Sequence, residues 1–177
     1  MKLSDNFDSQ EFRCRGPECH GVEPLVDREL VENLEKLRGL LNADLAPGAK
    51  PHVLIISSGA RCFTHNATKE VGGKPSSQHL YNLITGQGCR AADVYSPTRS
   101  VREVYEAALT IPEFKGVGLA PPVKPDFAKA IRGRRGYVHV DVRDAVARAQ
   151  WGYDAAGRTT SLAQVLPWLD LERGERV

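Results

Sequence analysis

Three polar residues that lie far apart in the sequence could together bind a metal ion. His79 lies in SSQHL, Asp93 in CRAADV and His139 in GYVHVDVR. Two imidazoles and one carboxylate are ligands that zinc accepts, and three protein ligands leave the fourth position of a tetrahedral ion open to water. An open position distinguishes a catalytic zinc site from a closed structural one. The three residues therefore predict a hydrolytic zinc centre, provided that the fold brings them together.

The residues around His139 alternate between polar and valine side chains. Side chains two residues apart point to the same face of a β-strand. A strand over 136–142 would therefore present Tyr137, His139 and Asp141 on one face and three valines on the other. The valine face is typical of a core, so the opposite face must meet solvent, a cleft or a metal ion. This alternation places Asp141 on the same side as His139.

The other two candidate ligands have weaker local support. Asp93 lies in a short apolar segment predicted to be a strand, where an unpaired carboxylate is costly. It therefore either binds a metal ion or pairs with an arginine such as Arg61 or Arg90. His79 follows a polar, glycine-rich stretch predicted to be a surface loop over 63–78. A histidine in such a loop is more often solvated than a ligand.

The pattern of apolar residues predicts the elements that would position these side chains. Leucines recur at helical spacing after Asp27, a favourable N-cap residue. Two helices are predicted at 27–42 and 100–110, and four strands at 52–58, 91–96, 116–120 and 136–142. Helix comes first and then mixes with strands without strict alternation, which is typical of an α+β fold.

The length of the chain suits one domain over 1–177. Its first part, 1–24, is rich in turn residues and contains two cysteines, so we expect an irregular segment. Its last part, 153–177, is expected to pack on the domain, with a short helix around SLAQVLPWLDL. Trp151, just before this tail, is expected to pack at the end of the sheet rather than to touch a substrate.

Composition and charge narrow the class of protein. The hydrophobic fraction of 41% is typical of a soluble globular protein, and the formal net charge of +2 is too small to indicate nucleic acid as a partner. The basic run at 132–135 is interpreted as a solvated loop. No stretch reaches the ~20 apolar residues that span a membrane. The start of the chain lacks the apolar segment of a signal peptide, so we expect synthesis in the cytosol.

Four cysteines are present, and two of them lie close together in the N-terminal segment. Cys14 and Cys19 are separated by four residues, and His20 follows the second. These residues could begin a small metal site, but no second nearby pair completes four ligands. A local disulfide or two free thiols is therefore the favoured interpretation. Cys62 and Cys89 flank the candidate site and could pair across adjacent strands.

Several short motifs, taken in order, resemble the zinc D-Ala-D-Ala carboxypeptidase and endolysin family, whose fold is shared with the signalling domain of hedgehog. The resemblance covers most of residues 3–152 and begins with LSDNFDSQEFRC. The motifs are SGARC, an asparagine, GG, SSQHL, GCRAAD, YVHVDVR and a following WG. The resemblance implies an α+β fold with a small, mostly antiparallel sheet flanked by helices.

The resemblance also implies roles for individual residues. The family's metal ligands fall on His79, Asp93 and His139, and its metal is Zn²⁺. The arginine that orients the substrate falls on Arg61, whose guanidinium would hold a peptide carboxylate or polarise the scissile carbonyl. Ser77 matches a position that lines the same cleft and would contact the substrate.

The sequence departs from the family pattern at two places. Thirteen residues separate His79 from Asp93, where the family usually has six, and an insertion in a surface loop costs little stability. The insert would form part of the cleft rim. Many members have a carboxylate three residues before the last ligand, but Gly136 occupies that position here. Asp141 is the nearest substitute, either as the catalytic base or as a partner that orients a ligand.

The function expected from the resemblance is hydrolysis of peptide bonds in the stem or cross-link of peptidoglycan by a zinc peptidase. The partner would be peptidoglycan peptides, and the protein would act as a monomer. Without a signal peptide, a phage or prophage lysis enzyme that reaches the wall after release is the natural context. The alternative is a binding or structural module that keeps the fold and the zinc ion but has no activity.

Overall fold

A six-stranded sheet runs through the part of the chain that the computed structural model describes, which is residues 1–121, 136–154 and 157–170. The strands are β1 (Ile55–Ser58), β2 (Ala91–Tyr95), β3 (Gly116–Ala120), β4 (Tyr137–Asp141), β5 (Ala149–Tyr153) and β6 (Thr159–Thr160). Their order across the sheet is β1-β2-β4-β3-β5-β6. Only the β3–β5 pairing is parallel within this sheet. The predicted α+β class and the mostly antiparallel sheet are therefore confirmed.

Within the described ranges, four α-helices accompany the sheet: α1 (Arg28–Leu41), α2 (Phe63–Asn66), α3 (Val101–Leu109) and α4 (Leu162–Asp170). Helix α1 begins after Asp27, whose carboxylate accepts a hydrogen bond from the Glu29 amide. Helix α3 begins with a capping box between Ser100 and Glu103. The apolar sides of α1 and α3 contact each other and join one core with the sheet.

The two faces of the sheet carry different side chains because residues alternate along each strand. On β4, Val138 and Val140 are fully buried in the core, and on β3 Val117 and Leu119 occupy the same layer. The opposite face of β2, β4 and β3 carries Asp93, His139, Asp141, Gly116 and Gly118. The core therefore fixes one face, while the polar face remains for the candidate site.

The predicted elements correspond to those of the structure, with shifted ends. The predicted helices at 27–42 and 100–110 match α1 and α3, and the strand predicted at 52–58 begins only at Ile55. The loop predicted at 63–78 contains the single helical turn α2. Strands β5 and β6 were not predicted. The basic run at 132–135 lies outside the described residues.

The N-terminal segment packs on the sheet through two aromatic residues. It contains two short 3-10 turns, Ser9–Phe12 and Pro17–Cys19. Phe7 and Phe12 are buried in the main core. The Ala60 amide donates a hydrogen bond of 2.8 Å to the Phe12 carbonyl, which joins this segment to the chain after β1. Among the described residues, no helix is long and apolar enough to cross a membrane.

Candidate metal centre

His79, Asp93 and His139 meet on the polar face of the sheet. Asp93 on β2 and His139 on β4 are direct partners across the antiparallel pair, and His79 reaches them from the loop before β2. His139 Nδ1 lies 2.9 Å from Asp93 Oδ1 and 3.2 Å from His79 Nε2. His79 Nε2 lies 3.4 Å from Asp93 Oδ1. All three residues are buried.

The spacing of these three atoms fits a small metal ion. Ligands bound to zinc at ~2.0–2.1 Å in tetrahedral geometry lie about 3.4 Å from one another. The triangle formed by His79 Nε2, His139 Nδ1 and Asp93 Oδ1 has sides of 2.9, 3.2 and 3.4 Å, so it is nearly one face of such a tetrahedron. The residues present therefore fit Zn²⁺, with a fourth position left for water or substrate.

His79 is held in the orientation that frees its Nε2 atom. Its Nδ1 lies 2.7 Å from the carbonyl oxygen of Gly59, and because a carbonyl can only accept, Nδ1 must carry the proton. Nε2 of the neutral ring is then unprotonated and available to a metal ion. The backbone is fixed as well, since the Arg61 amide donates to the His79 carbonyl at 2.8 Å. The Ser77 hydroxyl accepts from the His79 amide at 3.3 Å.

His139 is oriented by a carboxylate on its own strand. Its Nε2 donates to Asp141 Oδ2 at 3.0 Å, which leaves Nδ1 for the metal position. Asp141 is fully buried, and Arg143 donates from Nε to Asp141 Oδ1 at 2.7 Å and from Nη2 to Oδ2. Burial alone would raise the pKa of Asp141, but Arg143 and His139 hold it well below its usual range. A ligand histidine backed by a carboxylate is common at zinc sites.

Space for Asp141 comes from a glycine on the neighbouring strand. Gly116 is the direct partner of Asp141 in the β3–β4 pair. A Cβ atom at Gly116 would lie only 2.1 Å from Asp141 Oδ2, which no packed side chain tolerates. The glycine therefore leaves room for the Asp141 carboxylate that accepts hydrogen bonds from His139 and Arg143.

Asp93 is oriented by Arg61, the arginine of the SGARC motif. Arg61 Nη2 donates to Asp93 Oδ2 at 3.1 Å, while Oδ1 of the same carboxylate belongs to the triangle. The guanidinium is itself fixed by Ser58, whose hydroxyl oxygen accepts from Arg61 Nε at 3.2 Å and from Nη2 at 2.9 Å. The carboxylate therefore offers one oxygen to a metal ion and the other to an arginine.

Burial and neighbouring charges set the protonation of the triad. Burial lowers the pKa of His79, so its imidazole is neutral. Burial alone would raise the pKa of Asp93, but the imidazoles of His79 and His139 hold it well below the usual range of an aspartate. Burial also opposes the charged form of His139, but hydrogen bonds to Asp141 and Asp93 raise its pKa. An ionised carboxylate and a neutral imidazole are the forms that bind metal ions, so His79 and Asp93 are already in those forms, whereas His139 would release the proton on Nδ1 when an ion binds.

Trp151 lies beside the triad, on a strand that the sequence analysis did not predict. Its ring centroid lies 5.2 Å from that of His139, and the Arg143 guanidinium carbon lies 5.4 Å from the Trp151 ring. Tyr153 continues the aromatic surface, with its ring centroid 6.2 Å from that of Trp151. A Cβ at Gly118 would lie 2.6 Å from Trp151 Nε1, so this second glycine of β3 makes room for the indole. The sequence does contain a signal for this strand, because Trp151 and Tyr153 lie two residues apart and would therefore share one face of a β-strand.

The insert between His79 and Asp93 forms a tight turn of its own. Asn82 and Gln87 pair as an antiparallel bridge, and the Asn82 side chain accepts hydrogen bonds from the amides of Ile84 and Thr85. Gly86 at the turn has a φ of 74°, which favours glycine. The insert thus closes on itself and lets the ligands on either side of it converge. Its tip carries the side chain of Ile84, which is 97% exposed.

The structure thus brings the sequence-predicted residues to one place. The three predicted ligands form the triangle, Arg61 and Asp141 each contact one of them, and Ser77 contacts the backbone of His79. Gly136, at the position where many family members have a carboxylate, has a φ of 70°. A side chain would be strained in that conformation.

Comparison with protein families identifies a match. A family model described as Peptidase M15 matches residues 5–124, which are 120 of the 177 residues of the chain. The matched range contains Arg61, Ser77, His79 and Asp93 and ends before His139. No curated protein and no solved structure matches the chain significantly.

Proposed function

The chain belongs to the peptidase M15 family of zinc D-Ala-D-Ala carboxypeptidase type, and on this premise we propose that it is a zinc-dependent peptidase acting on peptidoglycan. The bond cleaved would lie in the peptide stem or cross-link of the cell wall. The observation that carries the proposal is the triangle of His79 Nε2, His139 Nδ1 and Asp93 Oδ1, which has the size of one face of a zinc coordination tetrahedron.

His79, Asp93 and His139 would hold the ion, and the remaining residues would set their orientation. Zinc, when bound, lowers the pKa of a bound water and polarises a carbonyl oxygen, which is the chemistry of amide hydrolysis. The sequence leaves two roles open for Asp141, catalytic base or partner that orients a ligand. Because both of its carboxylate oxygens accept hydrogen bonds, from His139 and from Arg143, we assign it the orienting role. In that role it keeps the proton on His139 Nε2.

Arg61 is proposed to act on both a ligand and the substrate. Its Nε and Nη2 atoms bind Ser58 and Asp93, which fixes the plane of the guanidinium at the edge of the metal position. We propose that the remainder of the guanidinium binds the substrate carboxylate or the oxygen of the scissile carbonyl. Ser77, two residues before His79, is proposed to line the same cleft.

The family and the surface beside the triad support the proposed substrate class. An arginine next to the metal position suits a peptide that ends in a free carboxylate. The sequence predicts a packing role for Trp151, but because its ring lies beside His139 we propose that Trp151 and Tyr153 form an aromatic wall against which a peptide stem can pack. We propose that the protein acts as a monomeric single domain on the cell wall, as a phage or prophage lysis enzyme does after release.

A non-catalytic zinc module remains the second candidate, because one observation favours it. Gly136 stands where many family members have the carboxylate base, and its φ of 70° disfavours any side chain there. A protein of this kind would bind zinc and peptidoglycan peptides without turnover.

Activity on a defined substrate separates the two candidates. Purified protein with one zinc ion at the triad would be incubated with purified peptidoglycan and with a synthetic stem peptide ending in D-Ala-D-Ala, and the products identified by mass spectrometry. If the protein is a peptidase, new peptide termini should appear with the wild-type protein and should be absent with the His139→Ala control. Zinc-loaded wild-type protein that leaves both substrates intact would contradict the peptidase and favour the binding module.

A further inference from the structure

Three cysteines that are not part of the His-Asp-His triad lie close together in the molecule. Cys14 and Cys19 come from the N-terminal segment and Cys62 from the chain after β1, and their Sγ atoms all lie within 4.8 Å of one another. Cys14 and Cys19 are buried, and all three are free thiols. They form a small apolar cluster with Ala60 and Tyr81, separate from the main core.

Backbone amides point at these sulfur atoms. The amides of Gly16 and Cys62 donate to Cys14 Sγ at 3.5 and 3.4 Å. The His65 amide donates to Cys62 Sγ at 3.3 Å. Hydrogen bonds of this kind favour the charged form of the acceptor. Burial nevertheless raises the pKa of Cys62 and of Cys19, so a bound cation would be needed to convert these thiols to the thiolates that bind metal ions.

Glu18 lies beside the cluster, where its Oε1 accepts a hydrogen bond of 2.9 Å from the Cys62 thiol, but it is not among the residues whose ligand atoms converge. Three thiolates would supply three ligands to zinc, a metal that soft sulfur ligands select, and water would take the fourth position. His20, which the sequence placed beside Cys19 as a candidate ligand, is exposed and does not belong to the cluster.

We propose that Cys14, Cys19 and Cys62 bind a second zinc ion, distinct from the ion of the triad. The ion would tie the N-terminal segment to the chain that carries Gly59 and Arg61. That stretch positions the triad, because the Gly59 carbonyl accepts from His79 Nδ1 and Arg61 donates to Asp93. The second ion would therefore stabilise the support of the first.

A disulfide is the main rival for the same sulfur atoms. A bond between two of the three cysteines requires an S–S distance of about 2.05 Å and leaves the third thiol without a partner. A zinc ion uses all three sulfurs at once, and it fits thiols that the structure holds together without a bond.

Cobalt substitution tests the proposal with a readout that the triad cannot produce. Cobalt bound by thiolates absorbs strongly in the near ultraviolet through sulfur-to-metal charge transfer, whereas cobalt bound by imidazole and carboxylate does not. The full-length protein should bind two ions per chain and show the charge-transfer band. The His139→Ala variant should lose one ion and keep the band.

Matched variants assign the band to the cluster. Cys19→Ser should lose the band and one ion, whereas Cys89→Ser should keep both, because Cys89 is buried in the same apolar cluster but lies outside the sulfur triangle. If Cys19→Ser does not fold, alkylation of the wild-type protein gives the answer. Zinc should protect Cys62, the most exposed of the three, from alkylation, and a chelator should make it reactive, whereas the fully buried Cys89 should stay unreactive in both states.

The outcomes separate this proposal from the peptidase. Native protein with one zinc ion, no charge-transfer band and no zinc-dependent protection of thiols would overturn the second site, as would a disulfide found by mass spectrometry of the unreduced protein. That result would leave the proposed peptidase function standing. Conversely, a charge-transfer band in a protein without activity would support the second site and contradict only the proposed reaction.

Discussion

At the scale of single residues, the central question is what Asp141 does. The sequence places it on the same strand face as His139 but leaves two roles open. The structure shows one of its oxygens accepting from His139 and both engaged by Arg143. A carboxylate that is fully buried and fully bonded is better suited to orient a ligand than to take a proton from water.

Asp141→Asn tests this assignment. The amide keeps the shape but loses the charge that fixes the proton on His139 Nε2, so we expect zinc affinity to fall by roughly 10- to 100-fold. Competition with a chromophoric chelator measures the affinity. Asp144→Asn is the control, since Asp144 is an exposed partner of Arg90. Unchanged affinity combined with a large loss of rate would instead identify Asp141 as the base.

Gly116 makes a second prediction at this scale. Gly116→Ala would place a Cβ atom 2.1 Å from Asp141 Oδ2, so either the carboxylate or strand β3 must shift. We expect the free energy of unfolding to fall by about 1–3 kcal/mol, as for other overpacked sites. Urea denaturation measures it. Gly39→Ala in helix α1 meets no atom within 4 Å and should be neutral or stabilising. Equal stability of the two variants would contradict the packing described.

At the scale of elements, alternation along the strands predicts which side chains share a face but not which strands are neighbours. The sequence therefore places His139 and Asp141 together. That Asp93 lies directly opposite His139 depends on the register of β2 with β4, which only the fold provides. The short strand β5 was missed because its first two residues are exposed, so it lacks the apolar pattern of a buried strand. Its parallel pairing with β3, which lies far from it in the sequence, gives no local signal either.

The insert after His79 gives a prediction about an element. Its turn is closed by Asn82 and Gln87, and Ile84 at its tip contributes little to the core because its side chain is 97% exposed. Ile84→Ser should therefore change the free energy of unfolding by no more than about 0.5 kcal/mol. If the insert forms the rim of the cleft, as expected from the sequence, the same variant should raise KM for peptidoglycan and leave kcat unchanged. A variant that unfolds readily would show that the tip packs on the rest of the protein.

At the scale of the whole molecule, metal binding and folding should be linked. An ion that binds only the folded protein stabilises it by about 4 kcal/mol at a thousand times its Kd. We therefore expect zinc to raise the Tm of the wild-type protein and a chelator to lower it again, as calorimetry would show. In Asp93→Asn, which keeps the size of a ligand but removes its charge, the rise should be smaller. If zinc raised the Tm of the wild-type protein and of Asp93→Asn equally, the stabilising ion would not be bound by the triad.

The cysteine cluster shows where reasoning from the sequence stops. Cys14 and Cys19 are neighbours in the chain, so their pairing could be considered. Cys62 lies 43 positions after Cys19 and joins them through long-range contacts, such as the Ala60 amide with the Phe12 carbonyl and the close approach of Phe12 to Gly59. The triad could be proposed because its motifs resemble a family. The cluster could be found only from coordinates.

The central claim is that His79, Asp93 and His139 share one zinc ion, and crystals of zinc-loaded protein test it most directly. An anomalous-scattering map at the zinc edge should show a peak within about 2.0–2.2 Å of His79 Nε2, His139 Nδ1 and Asp93 Oδ1. Asp141 should lie behind His139 without contacting the ion. A map from zinc-loaded crystals with no peak between these three atoms would contradict the account.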